Sequence, residues 1–391
     1  MYPNVLKRVQ DSVIMPSRPP RVVAKRSISA ASEDSVVTTV RGASQYLVQE
    51  LKELGITGKV GGPDWVTATL NQKNRDAVLR HSLLAIRVMH LLGRTRDREA
   101  LREMAKQVKP VGSFAVRAVS IDRQELQEDV GGDIKDATNA PVNLTKPDTT
   151  YLVLDFDGEY LFGIDRAGEL GKRHYKIITG AQSLSGPVAA AILYSSGWTP
   201  EEDIVAWPCA TGELAIEAAL LATGKSPRAY ELRIPDKKEA ECRIVAADAK
   251  LAMVSAAQKN AKIAGIHTSI KFSRQDLDWL DTKHDEREVR YFVGLLPNLK
   301  LFPGFTKELF YQLDYILGQG GKACFACVND ESAERLEAGV AAAERRYETK
   351  RDYLWSGQQA LTIVILTARG ARKNRPKPVA PVGNPLKQAK E

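Results

Sequence analysis

The chain has 391 residues, of which 43% are hydrophobic, and a formal net charge of +8. This length predicts two or three domains with ordinary packed cores. No apolar stretch approaches the roughly 20 residues of a membrane span and no signal peptide is recognisable, which favours a soluble, cytoplasmic protein. The Arg-rich start could instead be an organellar presequence, although its prolines interrupt an amphipathic helix.

The positive charge is concentrated at the two ends of the chain. Residues 1–28 and 371–391 each carry a net charge of +5, so the residues between them carry a small net negative charge. Both ends contain several prolines, which predicts basic disordered tails at 1–34 and 371–391. Such tails add salt-sensitive attraction to phosphate groups, or else only keep the protein soluble.

The residues between 35 and 170 predict two small modules of alternating strands and helices. The first covers residues 35–93, with strands at 36–40 and 65–70 and helices at 44–54 and 76–84. The second covers residues 94–170, with a charged helix at 94–107, a strand at 113–119, a helix that opens at 130–134, and strands at 151–156 and 160–164. Asp157 and Gly158, between the last two strands, are a typical type I′ hairpin pair.

Residues 204–219 predict a buried strand, a tight turn and a helix that begins at once. The turn at Gly212 places free backbone N–H groups at the carboxyl edge of a parallel sheet, where α/β proteins bind nucleotide-like ligands. Asp248 ends the next predicted strand and suits the hydroxyls of a ribose, while capping the following helix is its alternative role. Asp276 follows a third strand and suits an adenine amine. Three such strand ends predict S-adenosylmethionine (SAM) as the cofactor.

On these residues the chain resembles the THUMP-domain class I SAM-dependent RNA methyltransferases, which modify guanine N2 in tRNA or rRNA. Within the cofactor motif, the residues that fit the family are Cys209, Thr211, Gly212 and 216–219. Four residues depart from it, with Ala206 in place of its aspartate, Trp207 in place of its proline, Ala210 in place of its first glycine and Glu213 in place of its threonine. The resemblance implies an α/β fold of three parts. They are a ferredoxin-like module at 35–93, a THUMP RNA-binding module at 94–170 and a Rossmann-like methyltransferase domain at 171–370.

The resemblance also implies that the THUMP module binds structured RNA, either the acceptor end of tRNA or rRNA. The RNA-binding residues it implies are Arg117, Lys135, Lys172 and Arg173. Arg173 lies in the segment that joins the two domains in the family, so an interdomain anchor and a surface salt bridge are alternatives for it. Charges are nearly balanced between residues 94 and 135, so a local face would have to attract the RNA.

The catalytic turn of the family combines an aspartate or asparagine with two prolines and an aromatic residue. Here Leu295 and Asn298 occupy its first and last positions, and Pro297 and Asn298 are the candidate catalytic residues. Leu295 cannot accept a hydrogen bond from a guanine amine, and Asn298 offers little stacking surface. Two functions therefore stay open, an active guanine-N2 RNA methyltransferase with divergent motifs and a pseudo-methyltransferase that acts as an RNA-binding or assembly factor. A nucleoside-binding enzyme with another substrate is a third. The lost catalytic residues predict that methyl transfer is slow or absent.

The four cysteines lie in or beside predicted strands, which predicts buried thiols of a reducing compartment and no metal site. They are Cys209, Cys242, Cys324 and Cys327. Cys324 and Cys327 are three residues apart in one predicted strand, so their side chains should point to opposite faces of the sheet.

Overall fold

The computed structural model describes residues 33–228 and 240–370. They form two mixed α/β units, each built on a seven-stranded sheet. The two predicted tails lie outside the described residues, except that Glu33 and Asp34 begin the first strand. Among the helices that the structure describes, none is long and apolar enough to cross a membrane.

The first unit consists of seven strands and four helices in chain order. They are β1 (Glu33–Thr38), α1 (Ser44–Glu53), β2 (Gly58–Gly62), β3 (Trp65–Leu70), α2 (Gln72–His81), β4 (Arg87–Thr95), α3 (Arg98–Lys106), β5 (Phe114–Val119), α4 (Arg123–Thr138), β6 (Thr149–Phe156) and β7 (Glu159–Asp165).

Its sheet has the strand order β2-β3-β1-β4-β7-β6-β5, in which only β5 and β6 run parallel. The first four strands and two helices follow the βαββαβ order of a ferredoxin-like unit. The predicted boundary at residue 93 falls inside β4. This strand pairs with β1 of the first predicted module on one side and with β7 of the second on the other. The two predicted modules therefore share one sheet.

Two local predictions in this unit have different outcomes. The type I′ hairpin is confirmed, since Asp157 and Gly158 have φ angles of 53° and 82°. The predicted helix opening at 130–134 is wrong, because those residues lie in the middle of α4. Leu126, Val130 and Ile134 are buried at a four-residue spacing, and this apolar stripe holds the helix through its two central glycines.

In its described residues, 173–228 and 240–370, the second unit contains the other seven strands and six α-helices. They are α5 (Gly186–Ser196), β8 (Ile204–Ala206), α6 (Glu213–Thr223), β9 (Ile244–Asp248), α7 (Leu251–Ala264), β10 (Ile270–Arg274), α8 (Leu280–Lys283), β11 (Val289–Leu296), α9 (Phe305–Ile316), β12 (Leu317–Cys327), α10 (Asp330–Gly339), β13 (Arg346–Ser356) and β14 (Gln359–Arg369).

Its sheet has the order β10-β9-β8-β11-β12-β14-β13. The first five strands are parallel and the last two pair antiparallel, as expected for a doubly wound sheet with an added hairpin. The carboxyl ends of β8, β9 and β11 consequently meet at one edge of the sheet. All four cysteines are buried free thiols, and Cys324 and Cys327 belong to separate apolar clusters on the two faces, as predicted.

One apolar cluster crosses the junction between the units and includes Leu47 of α1, Leu193 of α5 and Leu220 of α6. Arg173 lies within this junction with a side chain that is 0% exposed. Its guanidinium donates to Glu217 at 2.8 and 3.1 Å and to the carbonyl of Leu83 at 2.7 Å. Arg173 thus joins the units. Its predicted RNA-binding role is wrong, because no part of its side chain reaches the surface, and the surface salt bridge is wrong for the same reason.

Glu50 of α1 is a second buried charge at the junction, 4% exposed. Its carboxylate accepts hydrogen bonds from the Ser82 hydroxyl and from the backbone N–H groups of Leu83, at 2.6 Å, and Leu84, at 3.3 Å. Burial raises the pKa of Glu50 to about 7, because the charged form loses hydration that these donors only partly replace.

Candidate active site

A cleft of about 550 Å³ opens at the carboxyl edge of the second sheet. Its floor comes from the segments that follow β8 and β9. Its walls come from the loop before α5 and from the segment between β11 and α9. The lining residues are Gly180, Ala181, Gln182, Ser183, Trp207, Pro208, Ala210, Thr211, Asp248, Ala249, Lys250, Met253, Pro297, Phe302 and Phe305.

The turn between β8 and α6 depends on a glycine. Gly212 precedes the first residue of α6 and has a φ of 97°, a conformation that L side chains rarely adopt. A Cβ at this position would also lie 2.8 Å from the Cβ of Ala257 on α7. Gly212 therefore lets the start of α6 approach α7 closely. Ala210, which replaces the first glycine of the family motif, has a φ of 47° and is the strained residue of the turn.

Asp248 fixes this turn from the end of β9. It is 6% exposed, and its Oδ2 accepts the backbone N–H of Ala210 at 3.1 Å while its Oδ1 accepts that of Lys250 at 2.9 Å. Burial raises the pKa of this carboxyl, and the two backbone donors oppose the shift. The N-cap of α7 is Lys250, without a side-chain bond, so the alternative role of Asp248 as the helix cap is wrong.

Thr211 links the turn to the opposite wall. Its hydroxyl donates to Oε1 of Glu213 at 2.6 Å and lies 2.5 Å from the hydroxyl of Ser183. Glu213 is 2% exposed, and burial raises the pKa of its carboxyl. Asn260 of α7 adds a second link, because its amide donates to the carbonyls of Thr211 and Ile178 at 2.9 Å each. These contacts hold the loop that carries Gln182.

The predicted cofactor residues are only partly brought together. Thr211 and Asp248 line the cleft. Among the described residues its lining does not include Cys209, Gly212, Glu213 or Asp276. Cys209 is buried beneath the turn, where burial raises the pKa of its thiol. Asp276 lies beyond β10 and pairs with Arg274 at 3.7 Å.

The predicted catalytic pair is divided in the same way. Pro297 lines the cleft, but Asn298 caps the 3-10 turn Leu299–Leu301, and its Oδ1 accepts the N–H of Lys300 at 3.1 Å. Leu295 is 6% exposed and packs in the apolar core. Position 295 therefore presents no hydrogen-bond acceptor to the cleft, and Asn298 is already committed to its own turn.

Sequence reasoning missed the aromatic side of the cleft. Trp207 donates its indole N–H to the carbonyl of Gln275 at 2.9 Å and stacks on Phe305, with ring centroids 6.2 Å apart and planes 19° apart. Phe302 is 49% exposed at the same wall. Phe302 and Phe305 come from the segment after β11, as the family motif does, but they lie four and seven positions beyond the expected aromatic. The excess of aromatic residues in that segment was the available signal.

Comparison with known protein families identifies the domain that holds the cleft. Residues 173–301 match the family model described as "RMKL-like, methyltransferase domain". These residues form an RMKL-like methyltransferase domain. They extend from the buried Arg173 to the turn after β11, so the match contains most of the cleft lining.

Two curated relatives of this methyltransferase domain have names that describe RNA methyltransferases. The chain is 28% identical over 286 residues to the ribosomal RNA large subunit methyltransferase K/L of Alteromonas mediterranea, covering 62% of this chain and 41% of that protein. It is 28% identical over 170 residues to the tRNA (guanine(6)-N2)-methyltransferase of Methanocaldococcus jannaschii, covering 38% of this chain and 45% of that protein. The chain spans less than half the length of these relatives.

Two solved structures match the methyltransferase domain together with the first unit. TrmN from Thermus thermophilus has a TM-score of 0.63 at 20% identity, covering 86% of this chain and 99% of that chain. SMU.472, solved as a complex with SAH, has a TM-score of 0.68 at 16% identity, covering 89% of this chain and 100% of that chain. These likenesses confirm the predicted class I, Rossmann-like methyltransferase fold.

The remaining predicted RNA-binding residues lie outside the methyltransferase domain's cleft. Arg117 of β5 and Lys135 of α4 are exposed and line one groove of about 370 Å³ in the first unit. The Arg117 guanidinium donates to the carbonyl of Leu144, which fixes its position on the groove wall. Lys172 has a side chain that is 78% exposed and pairs with Glu169 at 3.3 Å. It does not line that groove.

Proposed function

We propose that this chain binds SAM in the cleft and transfers its methyl group to an amine of RNA. The observation that carries the proposal is the placement of Asp248 and the Thr211 turn together on the floor of a cleft at the strand ends. The volume of about 550 Å³ suits a ligand of nucleoside size. The relatives' names agree with this class of reaction.

The residues present fit such a cofactor. Each oxygen of Asp248 accepts one backbone N–H and keeps a lone pair for a ribose hydroxyl. The start of α6 directs its free N–H groups and the positive end of its dipole toward the same floor. Bound SAM supplies an electrophilic methyl group on its sulfonium sulfur. Ala206 leaves the end of β8 without the carboxylate that the family has there.

For the RNA partner we propose a tRNA or rRNA that contacts the first unit as well as the cleft. Residues 94–170 would act as the THUMP module, with Arg117 and Lys135 contacting phosphates along their groove. The basic segments at 1–28 and 371–391 would add salt-dependent attraction. Guanine N2 is the proposed acceptor, the position that the name of the archaeal relative specifies.

A second candidate function is non-catalytic RNA binding, and one observation favours it. Leu295 is buried in the apolar core at the position where the family holds the acceptor amine. An amine desolvated beside it loses a hydrogen bond, a penalty of about 1–3 kcal/mol before any chemistry begins. We therefore expect transfer, where it occurs, to be slow.

The deciding experiment is transfer of labelled methyl from SAM to total tRNA and rRNA from cells that lack this protein. At limiting SAM we expect slow formation of N2-methylguanosine, reduced at least roughly fivefold in Asp248→Ala and retained in Asp285→Ala, which removes an exposed carboxylate of the same domain. A wild-type protein that binds SAM but incorporates no methyl would establish the non-catalytic function instead.

A further inference from the structure

Phe302 is an exposed aromatic side chain on the wall of the proposed active site. Half of its surface is accessible, 49%, although it lines the same cleft as Asp248. Burying a phenylalanine side chain contributes roughly 1.5–3 kcal/mol, so a half-exposed ring forgoes part of this stabilisation in the free protein. The ring is therefore available to a ligand that enters the cleft.

The backbone on both sides of Phe302 is firmly anchored. On its N-terminal side, Leu299 is 3% exposed, and its N–H donates to the hydroxyl of Ser332 at 3.1 Å. On its C-terminal side, Phe305 begins α9 and stacks on the buried Trp207. The ring thus stands on a segment held by two independent contacts, and little conformational freedom would be lost on binding.

From this geometry we infer that Phe302 is the surface on which an unpaired RNA base stacks when it enters the cleft. This inference rests on the proposed function and names its base-positioning residue. It replaces the role predicted for position 298, where Asn298 caps its own turn instead of facing the cleft. Base stacking on an aromatic ring is sequence-tolerant, so Phe302 would position the base without selecting it.

Two RNA strands that differ only in one base are compared, so that the contribution of base stacking to binding can be measured. One consists of abasic nucleotides with a single central guanosine, and the other is fully abasic and of the same length. Binding of both to the full chain is measured by fluorescence anisotropy. Stacking is worth about 1–3 kcal/mol per base, so we expect the wild type to prefer the guanosine strand at least roughly fivefold. Phe302→Ala should bind the two strands equally.

Matched variants separate stacking from folding. Phe302→Tyr should keep the preference, because it retains an aromatic face. Leu301→Ala should keep it too, since Leu301 is 69% exposed beside Phe302 but does not line the cleft. A preference that survives in Phe302→Ala, or one that is absent from the wild type, would overturn the inference. Calorimetry of SAM binding to the wild type shows separately whether the cofactor part of the proposed function holds.

Discussion

Replacing Arg173 by alanine is expected to lower the free energy of unfolding by about 3–5 kcal/mol. The Glu217 carboxylate is 0% exposed, and Arg173 is its cationic partner at 2.8 Å. Tyr175 still donates to Glu217 at 2.7 Å, but one hydroxyl cannot offset a buried negative charge. The carbonyl of Leu83, in the first unit, also loses its donor.

Chemical unfolding of Arg173→Ala and Lys172→Ala provides the measurement and its control. Lys172 is the neighbouring residue, and its side chain is 78% exposed, so its removal should change stability by less than about 0.5 kcal/mol. The double variant Arg173→Met, Glu217→Gln lacks both charges, so it should recover much of the stability that Arg173→Ala loses. Equal stability of Arg173→Ala and the wild type would show that the buried pair does not hold the units together.

The Glu50→Gln variant is expected to change how stability depends on pH. In the folded protein burial raises the pKa of Glu50 from 4.5 to about 7. Between these values the unfolded chain ionises the carboxyl more readily than the folded protein does. The free energy of unfolding of the wild type minus that of Glu50→Gln is therefore greatest below pH 4.5, and it decreases as the pH rises to about 7. Between these two pH values, the difference in free energy of unfolding falls by about 3 kcal/mol in total.

Urea unfolding of both proteins below pH 4.5 and above pH 7 measures this difference. Glu103→Gln is the control, because the side chain of Glu103 is 62% exposed and its replacement should change stability by less than about 0.5 kcal/mol. Parallel profiles for the wild type and Glu50→Gln would mean that the Glu50 carboxyl ionises normally within the fold.

The strand, turn and helix at residues 204–219 could be predicted because their pattern is local. A short apolar run, a glycine and the start of a mostly apolar helix are contained within sixteen residues, and the structure has β8, Gly212 and α6 there. By contrast, β13 was missed because it is an edge strand with most of its side chains at least partly exposed. Only Leu354 of its eleven residues is fully buried, so no alternation of polar and apolar residues marks it.

The details of the cleft could not be predicted from the motif positions. An interdomain anchor was among the roles predicted for Arg173, but its partner Glu217 lies 44 residues later and could not be predicted from the motif. Phe302 lies outside the position where the family motif has its aromatic residue, and its place at the cleft depends on the packing of Phe305 against Trp207. Asn298 occupies the aromatic position of the motif without matching it, and its side chain accepts the N–H of Lys300 two residues away.

Isothermal titration calorimetry with SAM tests most directly whether the cleft over the Thr211 turn is a cofactor site. We expect one site per chain in the wild type. Asp248→Ala should bind SAM at least roughly fivefold more weakly, because charge-assisted bonds to the ribose hydroxyls are worth about 1–3 kcal/mol. Asp285→Ala should bind like the wild type, and unfolding temperatures establish that both variants are folded. A wild type without SAM affinity, or a folded Asp248→Ala variant with unchanged affinity, would contradict this account.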